Sequence, residues 1–262
     1  MKKLAVITGS SRGIGFELAR VFGENGFDLV INSETDIVFD AEKKLKSLGY
    51  NVTAVKADLS TREGADEFFE RTMGLGGDLH SVVINAGFGV GGTFLETDIE
   101  REIQMMNLNM VYLTYLSKKF LKEMNQRGSG KLLLTSSVAG EMPGPYYAVY
   151  AATKAFVQSF AEAIRYEMNE LGTGITVTAL QPGATDTNFF KRAGMENTNA
   201  GEGDKDDPRK VALAGYEALM NGDDHVVVGM KNKIMTTAGK IMPQTAQAKA
   251  QGQLAKPDSL QQ

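Results

Sequence analysis

Short runs of aliphatic and β-branched residues alternate with helical segments along most of the chain, and this alternation restricts the possible folds more than any other feature. The runs are too short to be helices and are predicted to be buried strands. They are Lys3–Thr8, Asp28–Asn32, Val52–Lys56, Val82–Ile84, Lys131–Thr135, Ile175–Leu180 and Val226–Val228. Because strands joined through helices run parallel, we predict an α/β fold, with a doubly wound parallel sheet of about seven strands and helices on both faces.

A glycine-rich turn follows the first predicted strand. It runs from Thr8 to Gly15, reads TGSSRGIG, and leads into a helical pattern that ends at Gly26. Glycines between a strand and a helix let the backbone approach a pyrophosphate at the N-terminus of the helix. The spacing is G-x-x-x-G-x-G, which is neither G-x-G-x-x-G nor a P-loop. Taken alone, the turn is also compatible with a purely structural role.

A second chemical motif lies between Ser136 and Phe156. Tyr150 is followed by Lys154, and on a helix this i, i+4 spacing places both on one face. A nearby ammonium favours the tyrosinate, so we expect a lowered Tyr150 pKa and a phenol able to exchange a proton with an alcohol or carbonyl. Ser137 is the candidate for a second hydrogen bond to the same oxygen. The spacing itself is weakly specific, because Tyr115 and Lys119 also satisfy it.

Composition narrows the functional classes. The net charge of −4 gives no reason to expect a nucleic-acid partner, and no stretch approaches the roughly 20 apolar residues of a membrane span. With no cysteine, disulfides and thiolate metal sites are excluded, and a cytoplasmic location is expected. No metal-ligand cluster is visible.

The segmentation predicts one catalytic domain over residues 1–250 without an interdomain linker. Residues 188–207 are polar and glycine-containing and are predicted to form a mobile substrate lid. The Gln/Ala/Lys-rich sequence beyond Pro243 is expected to be disordered, including the tail 251–262. Two long predicted helices, Ile99–Met124 and Ala148–Leu171, are broadly apolar, and we expect them to form the interface of a homodimer or homotetramer.

Together these motifs resemble the short-chain dehydrogenase/reductase family in its form of about 250 residues. The resemblance rests on TGSSRGIG, the sequence NAG at 85–87, the Ser and Tyr-x-x-x-Lys set, and PGATDT at 182–187. It implies a Rossmann-type fold and hydride transfer between a nicotinamide and a carbonyl or secondary alcohol. Family spacing from both NAG and the tyrosine indicates Asn109, not Asn107, as the active-site asparagine.

The resemblance also implies roles for individual residues. The catalytic set would be Asn109, Ser137, Tyr150 and Lys154, with Tyr150 as general acid/base, Lys154 also on the nicotinamide ribose, and Asn109 holding a water. The expected cofactor-binding residues are Gly9, Ser11, Arg12, Gly13, Ile14, Gly15, Ser33, Glu34, Asp58, Leu59, Asn85, Ala86, Gly87, Tyr150, Lys154, Pro182, Gly183, Thr185 and Thr187. For Asp58, a loop-capping role is an alternative.

The choice between NAD(H) and NADP(H) turns on the end of the second strand. Ser33 replaces the aspartate that usually accepts the ribose hydroxyls in NAD-preferring relatives, whereas Glu34 would repel a 2′-phosphate. Arg12 is placed to pair with that phosphate, or alternatively with Glu34. The balance slightly favours NADP(H) over NAD(H).

The substrate is expected to be a fairly hydrophobic small molecule. Residues 88–94, 142–147 and the segment from Phe189 should form the pocket, with Ser137, Tyr147, Tyr150 and Phe189 in contact with the substrate. A different functional class, a catalytically silent dinucleotide-binding sensor or scaffold, is the alternative. It would usually lack one of the four catalytic residues, and here all four residue types are present.

Overall fold

The computed structural model describes residues 2–239 and 242–257 and contains one seven-stranded sheet. The strand order is β3-β2-β1-β4-β5-β6-β7, and every neighbouring pair is parallel. The strands are β1 Lys3–Ile7, β2 Asp28–Ser33, β3 Val52–Lys56, β4 Asp78–Ile84, β5 Gly130–Thr135, β6 Ile175–Gln181 and β7 His225–Val227. The predicted parallel α/β architecture is confirmed.

Helices connect the strands. They are α1 Gly13–Glu24, α2 Ile37–Ser47, α3 Arg62–Gly74, α4 Ile99–Met106, α5 Leu113–Arg127, α6 Ala148–Glu170, α7 Phe189–Arg192, α8 Asn199–Glu202, α9 Pro208–Asn221, α10 Met230–Gly239 and α11 Gln244–Ala255. Within residues 2–239 and 242–257, none of them combines the length and apolarity needed to cross a bilayer.

The sheet separates two hydrophobic clusters, as the alternation of side chains along a strand requires. On one face, α3, α5 and α6 pack through residues such as Phe68, Phe120 and Val157. On the other face, α1, α2 and α9 contribute a second cluster that includes Phe22 and Val211. Burial of both faces explains why the strands are continuous apolar runs and do not alternate with polar residues.

The predicted helix Ile99–Met124 is longer and not uniform. A π-helical turn, Asn107–Tyr112, separates α4 from α5 within one continuous helical segment. Such turns insert an extra residue into an α-helix and often occur at functional sites. Here the turn contains Asn109, which is buried, while Asn107 is half-buried.

The C-terminal region differs from the sequence prediction. The segment beyond Pro243, expected to be disordered, forms α11, and Gln247, Gln251 and Ala255 on one side of it are buried. The prediction was wrong for residues 244–255 because low hydrophobicity was taken to preclude packing. Of the predicted disordered tail, residues 258–262 lie outside the described residues.

Candidate active site

The site lies where the order of the strands reverses, between β1 and β4, at the carboxyl ends of the strands. This topological switch point is where open α/β sheets bind ligands. A cavity of about 500 Å³ opens there. The sequence-predicted residues that line it are Gly9, Arg12, Gly13, Ile14, Gly15, Asn85, Gly87, Ser137, Tyr147, Tyr150, Lys154, Pro182, Gly183, Thr185, Thr187 and Phe189.

The glycine-rich turn leaves room for a ligand at the N-terminus of α1. Gly9 and Gly13 have φ values of 63° and 57°, which favour glycine. A Cβ on Gly15 would lie 2.3 Å from the carbonyl oxygen of Gly9, so the turn can approach the helix only without a side chain there. No acidic residue occupies the first turn of α1, which leaves its N-terminus favourable to an anion. These residues therefore fit the pyrophosphate of a dinucleotide.

Ser137 stands at the start of a short 3₁₀ turn after β5. Its Oγ accepts a hydrogen bond from the Ala139 N–H at 3.1 Å and donates to the Pro182 carbonyl at 3.3 Å. The second bond is long, so the hydroxyl can turn toward a substrate oxygen at little cost. Ser136 also lines the cavity, but it is buried and its hydroxyl donates to the Lys154 carbonyl at 2.7 Å, so this hydroxyl is already engaged within the protein.

Tyr150 and Lys154 lie on the first turns of α6 and are both buried. The Tyr150 ring packs 5.1 Å from the Phe189 ring, centroid to centroid. The Lys154 Nζ lies 5.8 Å from the centroid of the Tyr150 ring and donates to the Thr135 carbonyl at 2.9 Å. The carbonyl fixes the ammonium at the carboxyl end of β5, beside the phenol.

The pKa of Tyr150 moves in the opposite direction to the sequence prediction. Burial raises it, and the hydrogen bond of Ser137 opposes the rise only in part. Burial also lowers the pKa of Lys154 to about 8. The prediction considered the attraction between ammonium and phenolate but not the loss of hydration, which disfavours the charged form of both groups. The phenol is therefore protonated at neutral pH.

Asn109 lies behind the cavity wall and does not line it. Its Nδ2 donates to the Phe88 carbonyl at 3.0 Å and to Thr153 Oγ1 at 3.1 Å, and its Oδ1 accepts from the Phe88 N–H at 3.3 Å. A Cβ built on Gly87 would lie 3.0 Å from Asn109 Oδ1 and 3.4 Å from Lys154 Nζ. Gly87 thus lets the asparagine and the lysine face the same small space.

The carboxylate of Glu34 makes an ion pair that the sequence did not suggest. Its partner is Arg192 of α7, at 3.0 Å, instead of Arg12, which lines the cavity. The predicted alternative of an Arg12–Glu34 pair is thus not what the structure shows. Sequence distance hid the contact, since the two residues are 158 positions apart.

Six other predicted cofactor residues do not line the cavity. They are Ser11, Ser33, Glu34, Asp58, Leu59 and Ala86. The Asp58 carboxylate accepts hydrogen bonds from the N–H and hydroxyl of Ser60 at 2.9 and 2.7 Å. Asp58 therefore has the loop-capping contacts that were the alternative to an adenine contact.

The far side of the cavity comes from the predicted lid, which contributes Met195, and from two helices whose contribution the sequence analysis missed. These helices are α10 and α11, which contribute Met235, Gln251, Leu254 and Ala255. Tyr147, at the start of α6, is hydrogen-bonded to α11, because its hydroxyl donates to Gln251 Oε1 at 2.9 Å. The spacing of Gln247, Gln251 and Ala255 at four residues was the available signal for a packed helix face.

The second Tyr-x-x-x-Lys copy belongs to a different environment. Tyr115 Oη and Lys119 Nζ both contact Asp66 on α3, each at 2.5 Å, away from the cavity. These contacts give this copy a role in packing and surface structure.

Comparison with known proteins identifies the family of the chain. The sequence model of the short chain dehydrogenase family matches residues 3–198. The chain is 31% identical over 218 residues to oxidoreductase UcpA of Salmonella typhimurium, covering 83% of this chain and 80% of that protein. It is 30% identical over 201 residues to a diacetyl reductase ((S)-acetoin forming) of Staphylococcus epidermidis, covering 75% of this chain and 76% of that protein.

Solved structures agree on the fold. A short-chain dehydrogenase of Sphingobium yanoikuyae superposes with a TM-score of 0.80 at 24% identity, covering 92% of this chain and 93% of that one. An alcohol dehydrogenase of the archaeon Thermococcus sibiricus gives 0.75 at 26% identity, covering 87% and 96%. The chain is therefore an enzyme of the short-chain dehydrogenase family of NAD(P)-dependent oxidoreductases.

Proposed function

We propose that this enzyme interconverts a carbonyl and a secondary alcohol on a fairly hydrophobic small molecule, with Tyr150 as general acid/base. The observation that carries the proposal is the position of Ser137, Tyr150 and Lys154 on the wall of one cavity that continues from the glycine-rich turn. Its other end includes aromatic and methionine side chains, among them Phe189, Met195 and Met235, which suit the apolar part of a substrate. The relative named diacetyl reductase supports carbonyl chemistry.

Each residue of the catalytic set has a proposed role in the reaction. When bound, the nicotinamide supplies or accepts the hydride. Ser137 and Tyr150 hold the substrate oxygen, and the protonated Tyr150 donates to it during reduction. Lys154, held by the Thr135 carbonyl, stabilises the phenolate that remains. The proton then returns along a path that we place beside Asn109 and Gly87, where the asparagine would order a water, as the family resemblance implies.

We further propose that NADP(H) is slightly preferred. The negative charge of Glu34 was the reason to expect repulsion of a 2′-phosphate. Its ion pair with Arg192 offsets this negative charge. Arg12 lines the cavity and remains available for the phosphate. The Thermococcus sibiricus neighbour, described as complexed with 5-hydroxy-NADP, also supports this preference.

The proposed activity is tested with a panel of ketones and secondary alcohols and both cofactors. Tyr150→Phe should lower kcat/KM by about 10²–10⁴, the usual contribution of a positioned acid, and leave cofactor binding intact. Tyr115→Phe removes the hydroxyl of the other Tyr-x-x-x-Lys copy and serves as the matched control, with activity unchanged. If wild type binds the cofactor but turns over no member of the panel, the result would support the alternative of a catalytically silent sensor or scaffold.

The cofactor preference is tested by kcat/KM with NADPH and NADH. Arg192→Ala should shift the preference toward NADH because it leaves the Glu34 carboxylate unpaired, and Glu34→Arg should shift it toward NADPH. Arg71→Ala removes a comparable exposed ion pair, with Glu67 on α3, and should leave the ratio unchanged. An unaltered ratio in both Arg192→Ala and Glu34→Arg would remove the electrostatic argument.

We also propose that the enzyme is a homodimer or homotetramer, through α4, α5 and α6. Ile99, Ile103 and Phe156 are exposed on these helices, as is Val111 in the π-helical turn between α4 and α5, and the Phe156 ring stacks on that of Phe160 at 5.7 Å. An exposed apolar face of this kind suits a second copy of the chain.

The predicted lid behaviour of residues 188–207 and the cytoplasmic location stay predictions.

A further inference from the structure

We propose that the side-chain amide of Gln251 binds a second oxygen of the substrate, at the end of the cavity away from Tyr150. The inference rests on the proposed function and specifies its substrate class. The substrate would be an apolar molecule that carries, besides the reacting carbonyl, a neutral acceptor oxygen such as a ketone, ester or hydroxyl group.

Gln251 is a buried polar residue on the cavity wall, only 9% exposed. Its Oε1 accepts from the Tyr147 hydroxyl at 2.9 Å, whereas the neighbours of its Nε2 are the sulfur atoms of Met142 and Met235, each at 3.8 Å. Thioethers accept hydrogen bonds weakly and never donate, so the amide nitrogen faces them and the amide oxygen faces the hydroxyl.

The amide nitrogen of Gln251 therefore has two N–H groups and only weak sulfur acceptors. Leaving a buried donor without a good acceptor is unfavourable, and a ligand oxygen would relieve it. Gln247, one turn earlier on α11, shows the contrast. Its amide donates to the carbonyl oxygens of Gly239 and Met242, both at 2.7 Å, and is satisfied within the protein.

The surroundings favour a neutral acceptor over an anion. Burial raises the pKa of Tyr147 to about 12, so its hydroxyl stays neutral and keeps donating to Gln251. Lys231 of α10 also lines the cavity, but its Nζ pairs with Asp204 at 3.1 Å. Aromatic side chains line the cavity beside both residues: the Tyr147 ring, whose hydroxyl contacts Gln251, is 6.5 Å from the ring of Tyr150, and the Phe189 ring is 5.1 Å from it. This path fits a hydrocarbon body with an oxygen at each end.

The test uses pairs of ketones that differ only in a second carbonyl at the far end, in three sizes. The pairs are cyclohexanone with cyclohexanedione, decalone with decalindione, and androstanone with androstanedione. For each pair, kcat/KM of the diketone is divided by that of the monoketone, so that a general loss of activity cancels. Gln251→Leu keeps the shape but removes the amide, and Gln247→Leu is the matched control on the same helix.

In wild type, at least one pair should favour the diketone, and Gln251→Leu should reduce that ratio by about tenfold, mainly through KM. Gln247→Leu should retain the wild-type ratio. Equal ratios in wild type and Gln251→Leu for all three pairs, or the same loss in Gln247→Leu, would overturn the proposal.

Failure of the proposed activity gives a distinct result. If wild type reduces no ketone of the set, calorimetric titration of the same pairs into the cofactor-saturated protein replaces kinetics. A diketone preference in binding that Gln251→Leu abolishes would then support the Gln251 site without turnover, and its absence would contradict it.

Discussion

Replacing Lys154 by methionine should change how the stability of the protein depends on pH. Lys154 is 5% exposed, and among the described residues its ammonium donates one hydrogen bond, to the Thr135 carbonyl. Methionine has a similar length and no charge, so Lys154→Met removes the titrating group without opening a large cavity. Activity should be lost, because the phenolate of Tyr150 loses its counter-charge.

The magnitude follows from the lysine pKa, which burial lowers from 10.5 to about 8. Between these two values the unfolded chain binds more protons than the folded chain, so the free energy of unfolding rises with pH. Below the pKa of the folded state, Lys154 is charged in both the folded and the unfolded chain. Its burial then lowers the free energy of unfolding by the full amount, about 3 kcal/mol. From about pH 7 to about pH 10, wild type should gain about 2.5 kcal/mol that Lys154→Met does not gain.

The assay is urea unfolding of both proteins across this pH range. Tyr150 is replaced by Phe in both, because its raised pKa would contribute a decrease of opposite sign above about pH 10. Loss of the hydrogen bond to Thr135 lowers the free energy of unfolding of Lys154→Met by the same amount at every pH. It therefore does not affect the slope of the free energy of unfolding against pH. Parallel curves for the two proteins would show that Lys154 is not held at a lowered pKa and would refute the reasoning.

Three further predictions concern the glycine turn, the asparagine and the assembly. Gly15→Ala would place a Cβ 2.3 Å from a carbonyl oxygen of the turn and should weaken NADPH binding about tenfold or more in fluorescence titrations, whereas Gly74→Ala, with nothing within 4 Å of its Cβ, should not. Asn109→Leu should lower the free energy of unfolding by about 3 kcal/mol in urea, since it leaves the N–H and carbonyl of Phe88 unpaired; a change below about 1 kcal/mol would contradict this. Phe156→Arg should reduce the molar mass from light scattering to that of a monomer, and a wild-type monomer would remove the proposed interface.

Much of the fold could be predicted because it depends on local patterns. The strand at β5, for example, is a run of leucines whose side chains enter both clusters, so its burial on two faces could be inferred without any partner. The glycine turn and the motif that contains Tyr150 each come after a strand of this one parallel sheet, and both line the same cavity.

Other features depend on contacts between distant parts of the chain. The pairing of Glu34 with Arg192 and the packing of Gln251 against Tyr147 have no local signature. The direction of the Tyr150 pKa was missed for a related reason, because the extent of burial is set by side chains such as Phe189 from another segment. Polar composition likewise gave no indication that α11 would close the cavity.

The π-helical turn Asn107–Tyr112 also determines how the enzyme tolerates changes in length. Each residue adds a rotation of about 100° about the axis of an α-helix. The extra residue in the turn therefore sets the direction in which the side chains before it point, relative to those of α5. Asn109 faces inward while Ile103 and Val111 stay exposed, and all three depend on that rotation. Removing one residue from the turn would restore an ordinary helix and rotate the asparagine and the apolar surface together. Insertions and deletions in this segment should therefore be far less tolerated than in the exposed loops around the sheet.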